Sequence, residues 1–129
     1  MRIRPTPART LALVARAPGS KVTAGELSAV RSALAKLPAS DRALLARNHL
    51  RVELVPRASL EDGMLGATEV VRGSDERLRP TRIRVASHVT GTGADSLAEI
   101  AQHEVGHAIS VLRRQDRSED AAEQYARDH

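Results

Sequence analysis

The stretch His103-Glu104-Val105-Gly106-His107 constrains this chain more than any other, because it has the form H-E-x-x-H. In an α-helix, residues i and i+4 lie one above the other on the same face. His103 and His107 could then bind one metal ion from the same side, and zinc is the usual ion in this arrangement. Glu104 would lie beside the ion, where it can accept a proton from a metal-bound water. The sequence therefore predicts a helix that carries a zinc site.

The flanking residues favour a helix around this motif. Ser96 and Glu99 have the spacing of a capping box, which predicts that the helix begins just after Ser96. The apolar residues that follow share one broad arc at about 100° per residue; they are Leu97, Ile100, Ala101, Val105, Ala108, Val111 and Leu112. Glu104 falls within this arc, where a carboxylate is costly unless something pairs with it. A metal-bound water would be such a partner.

A catalytic zinc site needs a third protein ligand and an open fourth position. The candidate ligands lie downstream in residues 118–126, which lack strand alternation and are interpreted as a second helix. Glu119 and Glu123 are i and i+4 on that helix and share a face. One of them could bind the metal while the other orients a metal-binding histidine. The alternative is a solvated acidic face, since glutamate pairs are common on helices.

The two motifs together resemble a known family. His103-Glu104-x-x-His107 followed by Glu119-x-x-Ala122-Glu123-x-Tyr125-Ala126 is similar to the zincin metallopeptidases of the gluzincin type. The resemblance is greatest to the lethal-factor-like peptidase domains of bacterial toxins, with the ImmA-like phage-repressor peptidases and the prenyl-protein membrane peptidases similar at the same motifs. It covers about the last 35 residues. It implies that Glu119 is the third zinc ligand and that Glu123 supports a histidine.

The spacing between the two motifs is short, since eleven positions separate His107 from Glu119. If the first helix ran on to Arg113, it would rise about 9 Å past His107. A tight hairpin would then bring Glu123, not Glu119, level with His107. If instead the helix ended near Ser110, Glu119 could reach. The third ligand is therefore Glu119 by resemblance, with Glu123 as the alternative from helix geometry.

Three further residues are weighed as parts of the site. His88 follows a predicted strand and could reach the cleft as a donor to the transition state, although a surface loop position is the simpler interpretation. His49 is interpreted as a surface or turn residue. Tyr125 lies about 200° around its helix from Glu123 and so faces away from the metal side. We therefore expect Tyr125 to belong to the core.

Upstream of the motif, the sequence predicts two helices and three strands. Thr23 and Glu26 form a capping box for a helix that ends before Pro38. A shorter helix, 42–48, follows with Ser40-Asp41 as its cap. Alternating or β-branched residues predict strands at 50–55, 67–72 and 81–87. In zincins the strand just before the H-E-x-x-H helix is typically the sheet edge that lines the cleft, so the resemblance assigns that role to 81–87.

These elements predict an α+β fold, a small zincin-like domain with a short mixed or antiparallel sheet. An edge strand would lie over the H-E-x-x-H helix, with a C-terminal glutamate helix beside it. Residues 1–20 are interpreted as a flexible N-terminal arm, because they are rich in Arg and Pro, and residues 21–129 as the metallopeptidase domain. No segment approaches the roughly 18 apolar residues of a membrane span, so no membrane partner is expected.

Composition excludes several kinds of site. The 129 residues include no Cys, so disulfides and thiolate metal sites are absent, and no Phe or Trp, so the core must be aliphatic. The formal net charge is +4, and a basic surface could favour acidic partners or nucleic acid. The arginines are scattered, however, and the aromatic platforms that stack single-stranded bases are missing. A nucleic-acid partner is therefore not expected.

The function expected from the sequence is a zinc-dependent endopeptidase that hydrolyses peptide bonds of a polypeptide substrate, with Glu104 as general base. The resemblance suggests a bacterial toxin or effector module, either cytoplasmic or exported by a route that needs no signal peptide. Two alternatives are a zinc-stabilised protein-binding module without turnover and a regulatory protease that cleaves a repressor. A basic nucleic-acid-binding domain with an incidental H-E-x-x-H is a further rival.

Overall fold

The computed structural model describes residues 13–17, 22–61, 63–87 and 94–129. Their strands form one mixed sheet, in the order β1-β2-β4-β3. The strands are β1 (Val14–Arg16), β2 (Val52–Pro56), β3 (Gly66–Arg72) and β4 (Leu78–Ser87). Strands β1, β2 and β4 run parallel, and β3 pairs antiparallel with β4. The α+β class and the mixed sheet predicted from the sequence are confirmed.

The described chain has four α-helices, of which the first two lie in the connection between the parallel strands β1 and β2, since parallel neighbours cannot be joined by a tight turn. They are α1 (Ala24–Ala35), α2 (Ala39–Arg47), α3 (Ala94–Arg114) and α4 (Glu119–Asp128). The chain passes from β1 through α1 and α2 to β2. Helix α3 carries the H-E-x-x-H motif, and α4 carries the two glutamates. Within the described residues, no helix has the length and apolar character needed to cross a membrane.

The edge strand beside the site is β3, not β4. The prediction that residues 81–87 form the edge is wrong, because β4 lies between β2 and β3 and pairs with both. A hairpin returns the chain from β3 to β4, with Glu76 at a positive φ of 66°. This hairpin leaves β3 at the end of the sheet. Strand order depends on pairing between distant segments, which alternation along one segment does not reveal.

The core is aliphatic, as the composition requires. One face of the sheet contributes Val52, Leu54, Ile83 and Val85, all at most 1 % exposed. These residues belong to a cluster with buried side chains of α1 and α3, which are Val30, Leu34, Leu97, Ala101, Val105, Ala108 and Ile109. On the opposite face of β4, Arg82 is exposed and bonds the carboxylate of Glu53 at 2.9–3.2 Å. The predicted alternation of β4 is confirmed.

The helix boundaries confirm one capping prediction and correct two. The Thr23 hydroxyl accepts the Glu26 N–H and the Glu26 carboxylate accepts the Thr23 N–H, both at 3.0 Å, which confirms the first capping box. Helix α3 begins at Ala94, so Ser96 lies inside its first turn and is not its cap. Helix α2 follows Pro38, so Asp41 is not a cap either. Asp41 is buried and accepts hydrogen bonds from Arg113 and Tyr125.

The predicted N-terminal arm needs a correction at Val14–Arg16. These residues form β1, which pairs in parallel with Val52–Leu54 of β2. The adjoining Leu13 is buried in the core, 2 % exposed. Burial of this short apolar run stabilises it against the sheet in spite of its Arg-rich flanks. Residues 1–12 and 18–20, the rest of the predicted arm, lie outside the described residues.

Candidate metal centre

The two histidines of the motif converge as the helical spacing predicts. His103 and His107 lie one turn apart on α3, with ring centroids 4.9 Å apart and ring planes at 82°. Each ring presents its Nε2 atom to the same carboxylate. His103 Nε2 lies 2.9 Å from Glu119 Oε1, and His107 Nε2 lies 3.0 Å from Glu119 Oε2. The structure therefore brings together His103, His107 and Glu119, the three ligands predicted by sequence and resemblance.

These three side chains fit a zinc ion by their chemistry and spacing. Each offers one ligand atom, and the three atoms lie within 4.8 Å of one another. Tetrahedral ligands at about 2.0–2.2 Å from zinc would lie about 3.3–3.6 Å apart. The two N–O distances of 2.9 and 3.0 Å are shorter than this spacing and the upper limit of 4.8 Å is longer, so the side chains would have to adjust to admit an ion. Two imidazoles and one carboxylate are also a known donor set of catalytic zinc sites, in which the fourth position stays open.

Glu119 reaches the histidines by a route that helix geometry alone did not predict. Helix α3 runs to Arg114, past the point at which Glu123 was expected to replace Glu119. That expectation is wrong because the helices are not joined by a tight hairpin: residues 115–118 lie between them, and the Asp116 N–H donates back to Ser110 O at 3.3 Å. From His107 to Arg114 the helix rises about 10 Å. The four Cα–Cα steps from Gln115 to Glu119 can span about 13–14 Å when extended, which is enough to return Glu119 to His107.

Gln115 makes this return possible at the end of α3. Its φ of 57° is in the left-handed region, and its N–H donates to Val111 O at 3.0 Å, which is the single bond of an αL helix cap. Its side chain also bonds both the N–H and the carbonyl of Leu78, at 2.6 and 2.9 Å. The end of α3 is thereby fixed to the start of β4. Gln115, where the chain turns back toward the site, is therefore held in place by its bonds to β4.

The start of α4 is fixed by two short-range contacts. The Ser118 hydroxyl accepts the Ala121 N–H at 3.1 Å and caps the helix. The Ser118 N–H donates to Asp116 Oδ1 at 2.9 Å, and this bond lowers the pKa of Asp116 below its usual value. Glu119 is the first residue of the capped helix. Its carboxylate is therefore aimed from an ordered helix end, although its side chain is 72 % exposed.

Gly106, between the two histidines, permits the close contact of α3 with α4. A Cβ atom at this position would lie 2.9 Å from Ala122 O and 3.1 Å from Tyr125 Cβ. The nearest atom belongs to the backbone of α4, so it cannot rotate away. Only glycine allows α4 to pack this near to the motif. The distance from His107 to Glu119 depends on that packing.

Gly106→Ala is expected to lower the free energy of unfolding by roughly 1–3 kcal/mol, because the added methyl group overpacks the helix contact. It should also weaken zinc binding, since α4 must shift and carry Glu119 with it. Thermal unfolding and zinc titration measure the two effects. Gly25→Ala is the control, because a Cβ there meets nothing nearer than 3.9 Å. Equal zinc affinity in Gly106→Ala and wild type would contradict this role for Gly106.

Glu104 lies in the wall of a cleft together with His107 and Glu119, and it is buried, as its position within the apolar arc predicts. It is only 8 % exposed. The Thr68 hydroxyl lies 2.8 Å from Glu104 Oε1 and 2.9 Å from Glu104 O. Strand β3 passes directly over the carboxylate at Gly66, where a Cβ would lie 2.9 Å from Glu104 Oε2. The carboxylate thus has a specific partner in the protein, which sequence reasoning missed.

An open cleft gives access to these groups. It has a volume of about 460 Å³, and Glu104, His107 and Glu119 form its polar side. Met64 and Val70 contribute apolar surface from the β3 side. The cleft therefore presents two carboxylates, a histidine, the arginine Arg117 and an edge strand to any molecule that enters it.

Among the described residues, no histidine bonds Glu123, the predicted supporting residue. Glu123 is exposed one turn beyond Glu119, and it lines a separate shallow groove together with His103. Its predicted support of a histidine remains a prediction.

The other weighed residues lie away from the three ligands or outside the described chain. Tyr125 donates to Asp41 Oδ2 at 2.7 Å on another side of α4, and burial together with this bond raises its pKa far above the usual range. This confirms its predicted position away from the metal side. His49 is a turn residue at φ 56°, as predicted, in a groove with Arg16 and Arg82. His88 lies outside the described residues.

No family model, curated protein or solved structure matches this chain. The functional interpretation therefore rests on the residues of the site and their geometry.

Proposed function

We propose that this protein is a zinc-dependent endopeptidase. One observation carries the proposal: Glu119 places its two carboxylate oxygens 2.9 and 3.0 Å from the Nε2 atoms of His103 and His107. The buried carboxylate of Glu104 lies beside this group in the wall of an open cleft. Two imidazoles and a carboxylate that converge, with an acid next to them, are the residues that metal-assisted hydrolysis requires.

His103, His107 and Glu119 would hold the ion. When bound, zinc would act as a Lewis acid on the scissile carbonyl and would bring the pKa of its water toward 7. Glu104 is the general base: its carboxylate accepts a proton from the attacking water and then gives that proton to the leaving amine. The position of Glu104 supports this role, because its carboxylate lines the cleft together with His107 and Glu119, and its Oε2 receives no hydrogen bond from the described residues.

The substrate proposed is a polypeptide in extended conformation. Strand β3 ends the sheet order in the described chain and lines the cleft through Thr68 and Val70. An edge strand offers main-chain donors and acceptors to a further strand, which gives affinity with little dependence on side chains. A peptide paired with β3 would lie beside Glu104 and the ligands.

The experiment is a hydrolysis screen of the full chain against denatured proteins and a peptide library. Hydrolysis by the wild-type protein is measured before chelation of the metal, after chelation, and after zinc is added back. We expect cleavage to disappear with the metal and to reappear with zinc. Cleavage that persists after complete metal removal would contradict the proposal. Zinc binding without cleavage across broad libraries would instead favour a zinc-stabilised binding module.

Glu119→Gln and Glu123→Gln separate the two acidic residues of α4. We expect Glu119→Gln to weaken zinc by more than the roughly 10–100-fold typical of a residue that only orients a ligand. Glu123→Gln should weaken zinc binding by no more than that range, because Glu123 lies one helical turn beyond Glu119, whose carboxylate meets the two Nε2 atoms. Competition titration with a zinc chelator measures the zinc dissociation constant of each variant. A greater loss in Glu123→Gln than in Glu119→Gln would reverse the assignment of the third ligand.

A further inference from the structure

The contact between Thr68 and Glu104 joins the edge strand to the acid of the motif. Thr68 Oγ1 lies 2.8 Å from Glu104 Oε1 and 2.9 Å from the main-chain oxygen of Glu104. A hydroxyl group has one hydrogen and can donate it fully to only one acceptor. The choice between the two acceptors decides what the contact does.

The carboxylate is the better acceptor of the two. Helix α3 is continuous from Ala94 to Arg114, so the Glu104 carbonyl already accepts a helical N–H from four residues further on. The carboxylate oxygen Oε1 has no other hydrogen-bond donor among the described residues. Hydrogen bonds to an ionised acceptor are also shorter and about twice as strong as neutral ones. The Thr68 hydroxyl therefore donates its hydrogen bond to Glu104 Oε1.

Gly66 lies next to the other oxygen of the same carboxylate, Oε2. A Cβ at residue 66 would lie 2.9 Å from Glu104 Cγ and 2.9 Å from Oε2. Gly66 and Thr68 are two residues apart on β3, so they face the same side of the sheet. The strand thus leaves space for the carboxylate at Gly66 and holds it at Thr68. Oε2 receives no hydrogen bond from the described residues and is left to accept a proton.

We propose that Thr68 is a positioning residue for Glu104, and that Gly66 provides the space this position needs. The inference rests on the proposed hydrolytic function for its effect on rate. Among the described residues, the Thr68 hydroxyl bonds Glu104 and none of the three predicted ligands, so Thr68 acts by fixing which oxygen of the Glu104 carboxylate is free. Misplacement of a reacting group by about 1 Å can cost on the order of 100-fold in rate.

Thr68→Val and Thr68→Ser test the rate effect. Valine keeps the β-branched shape but removes the hydroxyl, and we expect kcat to fall by about 10–100-fold with little change in KM. Serine keeps the hydroxyl, so the kcat of Thr68→Ser should stay within about threefold of the wild-type kcat. Zinc affinity should be unchanged in both variants. Thr81→Val is the matched control, because Thr81 is an exposed residue of β4 whose hydroxyl contacts only the main-chain oxygen of Glu69, at 3.4 Å.

Gly66→Ala tests the space above the carboxylate. The added methyl group should displace Glu104 and lower kcat at least as much as Thr68→Val does, again with zinc retained. Gly25→Ala, where a Cβ would meet nothing nearer than 3.9 Å, should leave kcat unchanged. A Gly66→Ala protein with wild-type kcat would contradict the proposed role of Gly66.

A double-mutant cycle on stability separates this inference from the proposed function. Glu104→Met keeps an unbranched side chain of similar length and removes both oxygens. We expect Thr68→Val to lower the melting temperature of the zinc-loaded full chain by roughly 4–8 °C in wild type and by less than about 2 °C in Glu104→Met. If wild type cleaves nothing but this coupling is present, the proposed function fails and the positioning contact stands. Equal shifts in both backgrounds, or wild-type kcat in Thr68→Val, would overturn the inference.

Discussion

Glu104→Gln is expected to abolish most peptide hydrolysis and to leave zinc binding near the wild-type level. Glutamine has the size of glutamate, and its amide oxygen can still accept the Thr68 hydroxyl that lies 2.8 Å from Oε1. It cannot accept a proton as the carboxylate does. The loss of kcat should be at least the ~10²–10⁴-fold typical of a lost general base.

Parallel assays of the two proteins on the same library peptides measure this loss, with zinc content determined on the same samples. Glu99→Gln is the matched control, because Glu99 is exposed on the same helix. Cleavage that survives in Glu104→Gln would show that another group is the base or that a contaminant cuts the peptide. Loss of zinc in Glu104→Gln would show that Glu104 is a ligand.

His103→Ala and His107→Ala are each expected to lose the zinc and the stability that zinc provides. A ligand that binds only the folded state stabilises it by about 2.7 kcal/mol at 100 times its dissociation constant. For a chain of this size, that free energy should raise the melting temperature of wild type by roughly 8–15 °C. Each alanine variant keeps two of the three donors and should show little of this shift.

The measurement is the zinc-dependent shift of the melting temperature, recorded for each variant with and without zinc. His49→Asn is the control, since His49 lies in a different groove and asparagine tolerates its positive φ. A zinc-dependent shift in His107→Ala equal to that of wild type would place the metal elsewhere. Loss of the shift in His49→Asn would show that surface histidines, not this site, bind the zinc.

Local patterns were sufficient for most elements of this fold, although not for β1. The Thr23–Glu26 capping box, the alternation that buries Ile83 and Val85, and the shared face of His103 and His107 each depend on residues at most four apart. Contacts of that range follow from helix and strand geometry alone. They are therefore visible in the sequence, and the structure confirms them.

The features that the sequence did not predict depend on contacts between residues far apart in the chain. Asp41 was assigned to a helix cap, but it pairs with Arg113 and Tyr125, which are 72 and 84 residues away. The Thr68–Glu104 bond spans 36 residues and depends on which strand is the edge. No periodicity within one element encodes either contact, because both arise from the order in which the strands and helices pack.

The position of Glu119, the predicted third ligand, shows the same limit over a shorter distance in the sequence. The motif placed Glu119 by resemblance, whereas a simple hairpin of two helices favoured Glu123. The outcome depends on Gln115, which adopts φ 57° without being glycine and is bonded to Leu78 on another element. Side-chain bonds to a distant strand stabilise a backbone conformation that is uncommon for residues other than glycine.

The most direct test of the proposed zinc site is X-ray absorption at the zinc edge of the zinc-loaded full chain. Zinc bound as proposed would show two imidazole nitrogens and oxygen ligands at about 2.0–2.2 Å, with four ligands in total. One of the oxygens should come from Glu119, so the spectrum should change in Glu119→Gln. A spectrum with fewer than two imidazoles, or the absence of bound zinc after excess metal is removed, would contradict the account.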